Sequence, residues 1–392
     1  MAVMTGDFLG GNCDNIQYFP DRIECTPLIS EGARRSGMVN HTYMWRALIT
    51  GEPGEKVNVT VRWPRYDVST VDKEKNQYWY VHSFAEVVKD AFYYGEDELN
   101  WTRIEDVEKK DYDFSFTLTL PESGKLYAGA NLPFTAKALN ALTEEFAAYK
   151  VPLCRSARGV DIPMFRFGTG KNVIWLQANQ HEVEVSGSHA LTGLMRYLVR
   201  PDTDLGNFSF FIIPSVAVDF VMLGKNIVDT GENINRNWGH RDMIETAAIH
   251  EKLQSLQRDG CRLLVMTDMH NGWCREDDSG GNYTEFTRGF VSEAYWQRRI
   301  RFAKALLSTV DYERPDKIWW HDFGPIRTFN MYGSQTYSAL CSTMEFSRYE
   351  IWDQKKGGYV PVTQERLYRM GEQLAKFLLS YDYDLNYEQE TF

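Results

Sequence analysis

Two histidines and one glutamate carry the most chemistry per residue in this chain. In VIWLQANQHEVEVSGSHALTGLMRYL, His181 and Glu184 form an H-x-x-E pair where an apolar, strand-like run gives way to a helical pattern. A second histidine, His270, closes another apolar run in LLVMTDMHNG. Two imidazoles and a carboxylate arriving from the ends of different strands are a donor set for catalytic zinc, with a fourth position left for water. Among 54 acidic residues and 8 histidines a chance H-x-x-E is expected, and a polar turn at a strand end is the plain alternative. The helical H-E-x-x-H pattern is absent because Val185 follows HEVE, and His189 in SHALTG reads as a packed or helix-surface histidine.

Two further segments follow in order: NINRNW at Asn233 to Trp238 and TMEFSR around Glu345. Together HEVE, NRNW, TDMH and TMEF resemble the zinc metallocarboxypeptidase family, which runs H-P-G-E, then N-R-x-W, then a histidine closing a strand, then a glutamate on a late strand. Upstream, KLYAGANLPFTAKALNALTEEF is similar to the start of the catalytic domain in the cytosolic branch of that family, where a β-rich domain precedes the peptidase. The likeness spans roughly Tyr127 to Ser380.

The resemblance implies Zn2+ as cofactor, held by His181, Glu184 and His270, with Glu345 taking a proton from water and delivering it to the leaving amine. It implies that Asn235 and Arg236 face the substrate terminus, the Arg236 fork stabilising an oxyanion or gripping a carboxylate. Arg327, in GPIRTF, becomes a further anion contact, and Tyr332 and Tyr337 become candidates for a phenol closing over the substrate, with ordinary packing as the alternative. Three departures accompany the likeness. Glu182 and Val183 replace the family's Pro-Gly, and Asn233 stands where an aspartate orients a zinc histidine. Lys225 and Asn226 occupy the region of an upstream arginine, so Lys225 offers a point charge without a fork. The expected activity is hydrolysis of an amide next to a carboxylate, at a C-terminal residue or a side-chain glutamate of a peptide or amide-containing substrate. The alternatives are a zinc amidase, deacylase or esterase acting on a blocked substrate, and a non-catalytic binding protein.

The elements that must position these residues fall into two groups. Up to about Ser123, TYMWRALIT, KVNVTVRW, QYWYVHSF and DFSFTLTL read as short strands between turn-rich segments, which predicts a β-sandwich over residues 1–128. Trp45, Trp63, Tyr78, Trp79 and Tyr80 are its expected core, with a sugar-binding aromatic face as the alternative. Residues 129–392 alternate apolar strands (VPLCR, DIPMFRF, NVIWLQA, FSFFIIPSV, RLLVMTD, SALCSTMEF) with amphipathic helices. That pattern predicts an α/β domain with a mixed, mostly parallel sheet covered by helices on both faces. HEVE, NRNW, DMHN and TMEF then fall at strand ends, where such sheets bind ligands.

With 392 residues, 43% hydrophobic and 14% aromatic, the chain is long enough for two packed cores. A net charge of -11 argues against nucleic acid and anionic membrane surfaces as partners. Cys13, Cys25, Cys154, Cys261, Cys274 and Cys341 show no C-x-x-C spacing, which suits free thiols in a reducing compartment. The start, MAVMTGDFLGGN, shows no signal-peptide pattern, and no apolar run approaches the ~18–20 residues of a membrane span. A cytoplasmic protein is the resulting expectation.

Overall fold

The computed structural model describes residues 1–29, 44–63, 91–181, 184–223, 233–272, 291–311, 326 and 328–383, with the backbone of the strands at 283–287 and 319–321. Lys225, Asn226, Arg327, Glu182, Val183 and the aromatics Tyr78, Trp79 and Tyr80 lie outside the described residues.

Among the described residues, the chain up to Ala130 forms strands only: β1 (Val3–Thr5), β2 (Cys13–Tyr18), β3 (Ile23–Pro27), β4 (Trp45–Thr50), β5 (Lys56–Arg62), β6 (Phe92–Gly95), β7 (Thr102–Arg103), β8 (Glu108–Lys110), β9 (Asp113–Thr119) and β10 (Lys125–Ala130). They make two five-stranded sheets, ordered β1-β4-β10-β6-β7 and β2-β3-β5-β9-β8. Neighbours are antiparallel throughout except for the parallel pair β3–β5. In β5 and β9 buried and exposed residues alternate, the period-2 mark of a sheet with one dry face. The dry faces meet through aromatic rings: Trp45 sets its edge on Phe116 at 6.1 Å, and Trp63 packs against Phe92 and Phe114 at 6.3 and 6.2 Å. Trp45 and Trp63 are therefore core residues, as their apolar surroundings in the sequence imply. β10 is a full member of the first sheet, paired with both β4 and β6, so a boundary between residues 128 and 129 falls inside this strand.

The α/β portion begins with α1 (Ala136–Glu145), capped by Thr135, whose hydroxyl accepts from Ala138 N at 3.0 Å. Then follow β11 (Lys150–Val151), β12 (Met164–Phe167), β13 (Asn172–Ala178), α2 (Ser186–Leu198), β14 (Phe208–Ile213), α3 (Val218–Leu223), α4 (Ile244–Arg258), β15 (Arg262–Asn271), β16 (Tyr283–Thr287) and α5 (Glu293–Thr309). β17 (Trp319–His321), α6 (Phe329–Tyr337), β18 (Leu340–Phe346), the hairpin β19 (Glu350–Asp353) and β20 (Gly358–Pro361), and α7 (Gln364–Ser380) complete the described residues.

The main sheet runs β11-β12-β14-β13-β15-β18-β16-β17. Its centre, β14-β13-β15-β18, is parallel, while β11–β12, β12–β14 and β16–β18 pair antiparallel. Residues of β13 and β15 are buried almost without interruption, as expected of strands covered on both faces. α2 and α7 cross so closely that a side chain on Gly193 would run into the carbonyl of Tyr368, and one on Gly371 into the carbonyl of Ala190. Gly187 serves the same purpose at the start of α2, where a Cβ would meet the Cβ of Met269 on β15. Because β14 lies on one side of β13 and β15 on the other, the chain reverses its winding direction at the C-terminal ends of β13 and β15. A crevice opens at such a reversal.

Candidate metal centre

The crevice receives the H-x-x-E pair from β13. That strand stops at Ala178, and Asn179 turns the chain in the left-handed conformation, φ 57°, which asparagine tolerates better than a branched residue. The Asn179 amide donates to His181 O at 2.7 Å and accepts from Ser215 Oγ at 2.7 Å, fixing the turn. A further turn, Glu184 N to His181 O at 3.0 Å, brings both side chains to one side before α2 begins. His270 arrives from the end of β15, and Glu345 from β18, where the two are direct partners in the parallel ladder. Partners in register point to the same face, so the half-buried Glu345 stands beside His270.

Donor atoms of His181, Glu184 and His270 lie within 4.8 Å of one another. The Glu184 Oε2 is 3.0 Å from His181 Nδ1 and 2.6 Å from His270 Nδ1, and the two Nδ1 atoms are 3.3 Å apart. Each outer nitrogen faces an acceptor: His181 Nε2 has Asn233 Oδ1 at 3.1 Å, and His270 Nε2 has Asp268 Oδ2 at 2.5 Å. Protons on both Nε2 atoms satisfy these acceptors and leave both Nδ1 lone pairs directed inward, the tautomer a metal ligand requires. Two such nitrogens and a carboxylate oxygen converging on one point fit a zinc ion by donor type and number.

Burial alone would raise the Glu184 carboxyl, but the His181 and His270 rings beside it hold it well below the usual carboxylate range. Burial likewise disfavours a charged His270, yet Asp268 and Glu184 on its two sides hold its proton well above the usual histidine value. A metal entering this site must displace that proton.

Asp268 is a functional residue that the motif reading passes over. It is fully buried, and besides His270 it accepts hydrogen bonds from Gln177 Nε2 at 3.5 Å and from Gln180 Nε2. Gln177 and Gln180 are held in turn by the indoles of Trp175 and Trp238, at 3.0 and 2.9 Å. Trp238 of NRNW is thus the far end of a support reaching His270. The available signal was D-x-H within a strand, since residues two apart share a face.

Other expectations meet the structure variously. Asn235, 6% exposed, lies against His270, its Nδ2 at 3.3 Å from Nε2 and its Oδ1 accepting from Phe329 N at 3.2 Å. Arg236 is half-buried on the short turn Ile234–Arg236 and donates to Asn235 O at 3.0 Å. Tyr332 is 1% exposed on α6, stacked on Trp238 at 5.4 Å and bonded to His250. Its hydroxyl lies 2.7 Å from that of the half-buried Tyr337, and burial pushes both phenols up. His189 packs in the core, its Nε2 at 3.1 Å from Pro133 O, and burial lowers it to about 4. Arg348 reaches the Glu184 carboxylate at 3.8 Å and donates to Asn271 O at 3.2 Å.

A family model described as zinc carboxypeptidase matches residues 136–259, a stretch containing His181, Glu184, Asn235 and Arg236. No curated protein sequence matches the chain. Among solved structures, a metallo-carboxypeptidase from Burkholderia cenocepacia superposes with a TM-score of 0.73 at 17% identity, covering 97% of this chain and 98% of its own. A metallo-carboxypeptidase from Pseudomonas aeruginosa, in complex with (2-guanidinoethylmercapto)succinic acid, gives a TM-score of 0.73 at 18% identity over 96% of this chain and 98% of its own. At such identities the likeness is one of fold, and it extends through the N-terminal sheets as well as the α/β portion.

Proposed function

We propose that this chain is a zinc carboxypeptidase in which His181, Glu184 and His270 hold zinc and Glu345 serves as proton carrier in hydrolysis of an amide bond next to a carboxylate. The observation that carries this reading is the convergence of two Nδ1 atoms and one carboxylate oxygen beside a glutamate in register with His270. When bound, zinc supplies a Lewis acid that polarises a carbonyl and makes nearby water more acidic. The Glu345 carboxylate takes a proton from the attacking water and returns it to the departing nitrogen. Arg236 holds negative charge, on the substrate carboxylate or on the carbonyl oxygen as it becomes an oxyanion. Asn235 lies against the His270 ring, its own amide oxygen held by Phe329 N.

The substrate we favour is a peptide losing a C-terminal residue or a side-chain glutamate, as in the cytosolic branch. The Pseudomonas aeruginosa relative in complex with a substituted succinic acid, a dicarboxylate, supports a carboxylate-reading site on this fold. Lys225 and Arg327 are proposed as further anion contacts on sequence grounds alone. We also propose that a β-domain, running through β10 to Ala130, precedes the catalytic portion. The described cysteines, Cys13, Cys25, Cys154, Cys261 and Cys341, are free thiols, which supports a cytoplasmic setting. No described helix is long and apolar enough to cross a membrane.

Hydrolysis of peptides with free and with amidated C-termini tests the substrate assignment. Turnover is expected only where the carboxylate is free. Equal rates on the blocked peptides would reject a carboxypeptidase and favour an amidase.

A further inference from the structure

Asn271 follows His270 directly and is 4% exposed. Its side-chain amide reaches two other parts of the site at once. Oδ1 accepts from Ser186 N at 3.1 Å, while Nδ2 donates to Ser186 Oγ at 2.7 Å and to Phe346 O at 3.1 Å. Ser186 is the first residue of α2, two positions after Glu184, and Phe346 is the immediate neighbour of Glu345. One amide therefore touches the chain beside a metal-ligand candidate, the chain beside the proposed base, and carries a second ligand candidate on the residue before it.

Arg348, three residues after Glu345, spans the same ends through its charge, 3.8 Å from the Glu184 carboxylate and 3.2 Å from Asn271 O, and the Asn271 amide ties them by neutral hydrogen bonds. The β15–β18 ladder sets the register of His270 against Glu345 but ends at Asn271 and Phe346. α2 belongs to no ladder, and Val185 at its N-cap supplies no side-chain hydrogen bond, so Asn271 takes over that task from another strand. The task demands an acceptor and a two-proton donor on a short stem, a combination that asparagine alone provides at this length. Aspartate keeps the acceptor and loses the donor, and glutamine is longer by one methylene.

We propose that Asn271 is a positioning residue that sets Glu184 and Glu345 at their working separation on either side of His270. The assignment rests on the hydrolase reading for its Glu345 half, whereas its metal half stands without turnover. Misplacement of a reacting group by ~1 Å costs on the order of 100-fold in rate, and loosening the support of a metal ligand costs about 10–100-fold in affinity.

The test uses the full chain with Asn271→Asp, Asn271→Ala, Glu345→Gln and the double variant Asn271→Asp/Glu345→Gln. Zinc affinity is read by chelator competition, turnover at saturating zinc, and folding by thermal denaturation. Asn271→Asp is nearly isosteric and carries the test if the alanine variant fails to fold. The expected result is a zinc Kd weakened about 10-fold or more and a kcat lowered about 10–100-fold with KM unchanged. In the Glu345→Gln background, Asn271→Asp should cost no further turnover, a coupling that general destabilisation would not produce. Unchanged zinc affinity, or a rate loss that persists undiminished without Glu345, would overturn the proposal. Weakened zinc binding in Asn271→Asp, together with a wild-type protein that hydrolyses nothing, would sink the hydrolase reading and support the metal half.

Discussion

Asp268 and His270, two residues apart on β15, share one face of the sheet, and the Asp268 carboxylate lies 2.5 Å from His270 Nε2 in a setting closed to solvent. A buried carboxylate there fixes the ring orientation and its tautomer, turning Nδ1 toward Glu184. Asp268→Asn should test this with little change in volume. The carboxylate offers acceptors to His270, Gln177 and Gln180, whereas an amide must turn its NH2 toward at least one of these donors. We expect zinc affinity to fall about 10–100-fold while the protein stays folded. Wild-type affinity in this variant would mean that the carboxylate is a packing group only.

Loss of a ligand and loss of a base should separate cleanly. His181→Ala and His270→Ala remove converging nitrogens, so zinc content and turnover should vanish together. Glu345→Gln leaves the three donors untouched, so zinc should stay bound while kcat drops about 100- to 10,000-fold. Metal analysis beside single-turnover kinetics checks both. Full zinc occupancy in either histidine variant would refute the ligand set.

The metal-free site should respond to pH in the opposite sense to the zinc-loaded one. Glu184 is held below its ordinary 4.5, so its contribution to stability is present above that value and fades as pH falls through the lowered one. His270 is held above its ordinary 6.5, so its contribution is complete below 6.5 and fades as pH rises through the raised value. Apo stability should therefore peak between about 4.5 and 6.5. Zinc must displace the His270 proton, so affinity should keep rising with pH above the usual histidine range. Denaturant melts of apo protein across pH, with zinc titrations alongside, check the pair of trends. An apo stability that climbs steadily from pH 6.5 to 8.5 would contradict the charge arrangement.

Which parts of this architecture could be read from residues follows from how local each signal is. NVIWLQA and RLLVMTD are continuous apolar runs, and a strand buried on both faces has no other way to look. His181, Glu184 and His270 could be proposed from sequence because HEVE, NRNW, TDMH and TMEF follow in order, whereas a single H-x-x-E would not have sufficed. Tyr332 left two readings open, because a phenol near a motif looks the same whether it faces a substrate or stacks on Trp238. α6 escaped notice since FNMYGSQTY has glycine, β-branched and aromatic residues of weak helix propensity, and Thr328 capping with tertiary burial overrides them. Asn271 and Gln180 were invisible for a different reason. Their partners lie 58 to 88 residues away, and an amide in a sequence carries no mark of what it will bond.

The α2–α7 crossing offers a test in which the usual sign of a substitution reverses. Replacing glycine by alanine inside a helix normally stabilises by about 0.5–1 kcal/mol, because the unfolded chain loses freedom. At Gly371 the new methyl would meet the backbone carbonyl of Ala190 on α2, which cannot rotate aside as a side chain would. Relief requires the helices to separate, and overpacking of this kind costs about 1–3 kcal/mol or more. Gly371→Ala should thus lower the urea midpoint, while Gly358→Ala, where a Cβ meets nothing within 4 Å, should leave it nearly unchanged. Since α2 begins two residues after Glu184, a shift of that helix should also weaken zinc binding in Gly371→Ala. A Gly371→Ala protein as stable as the parent would show that the two helices do not hold each other at the separation described.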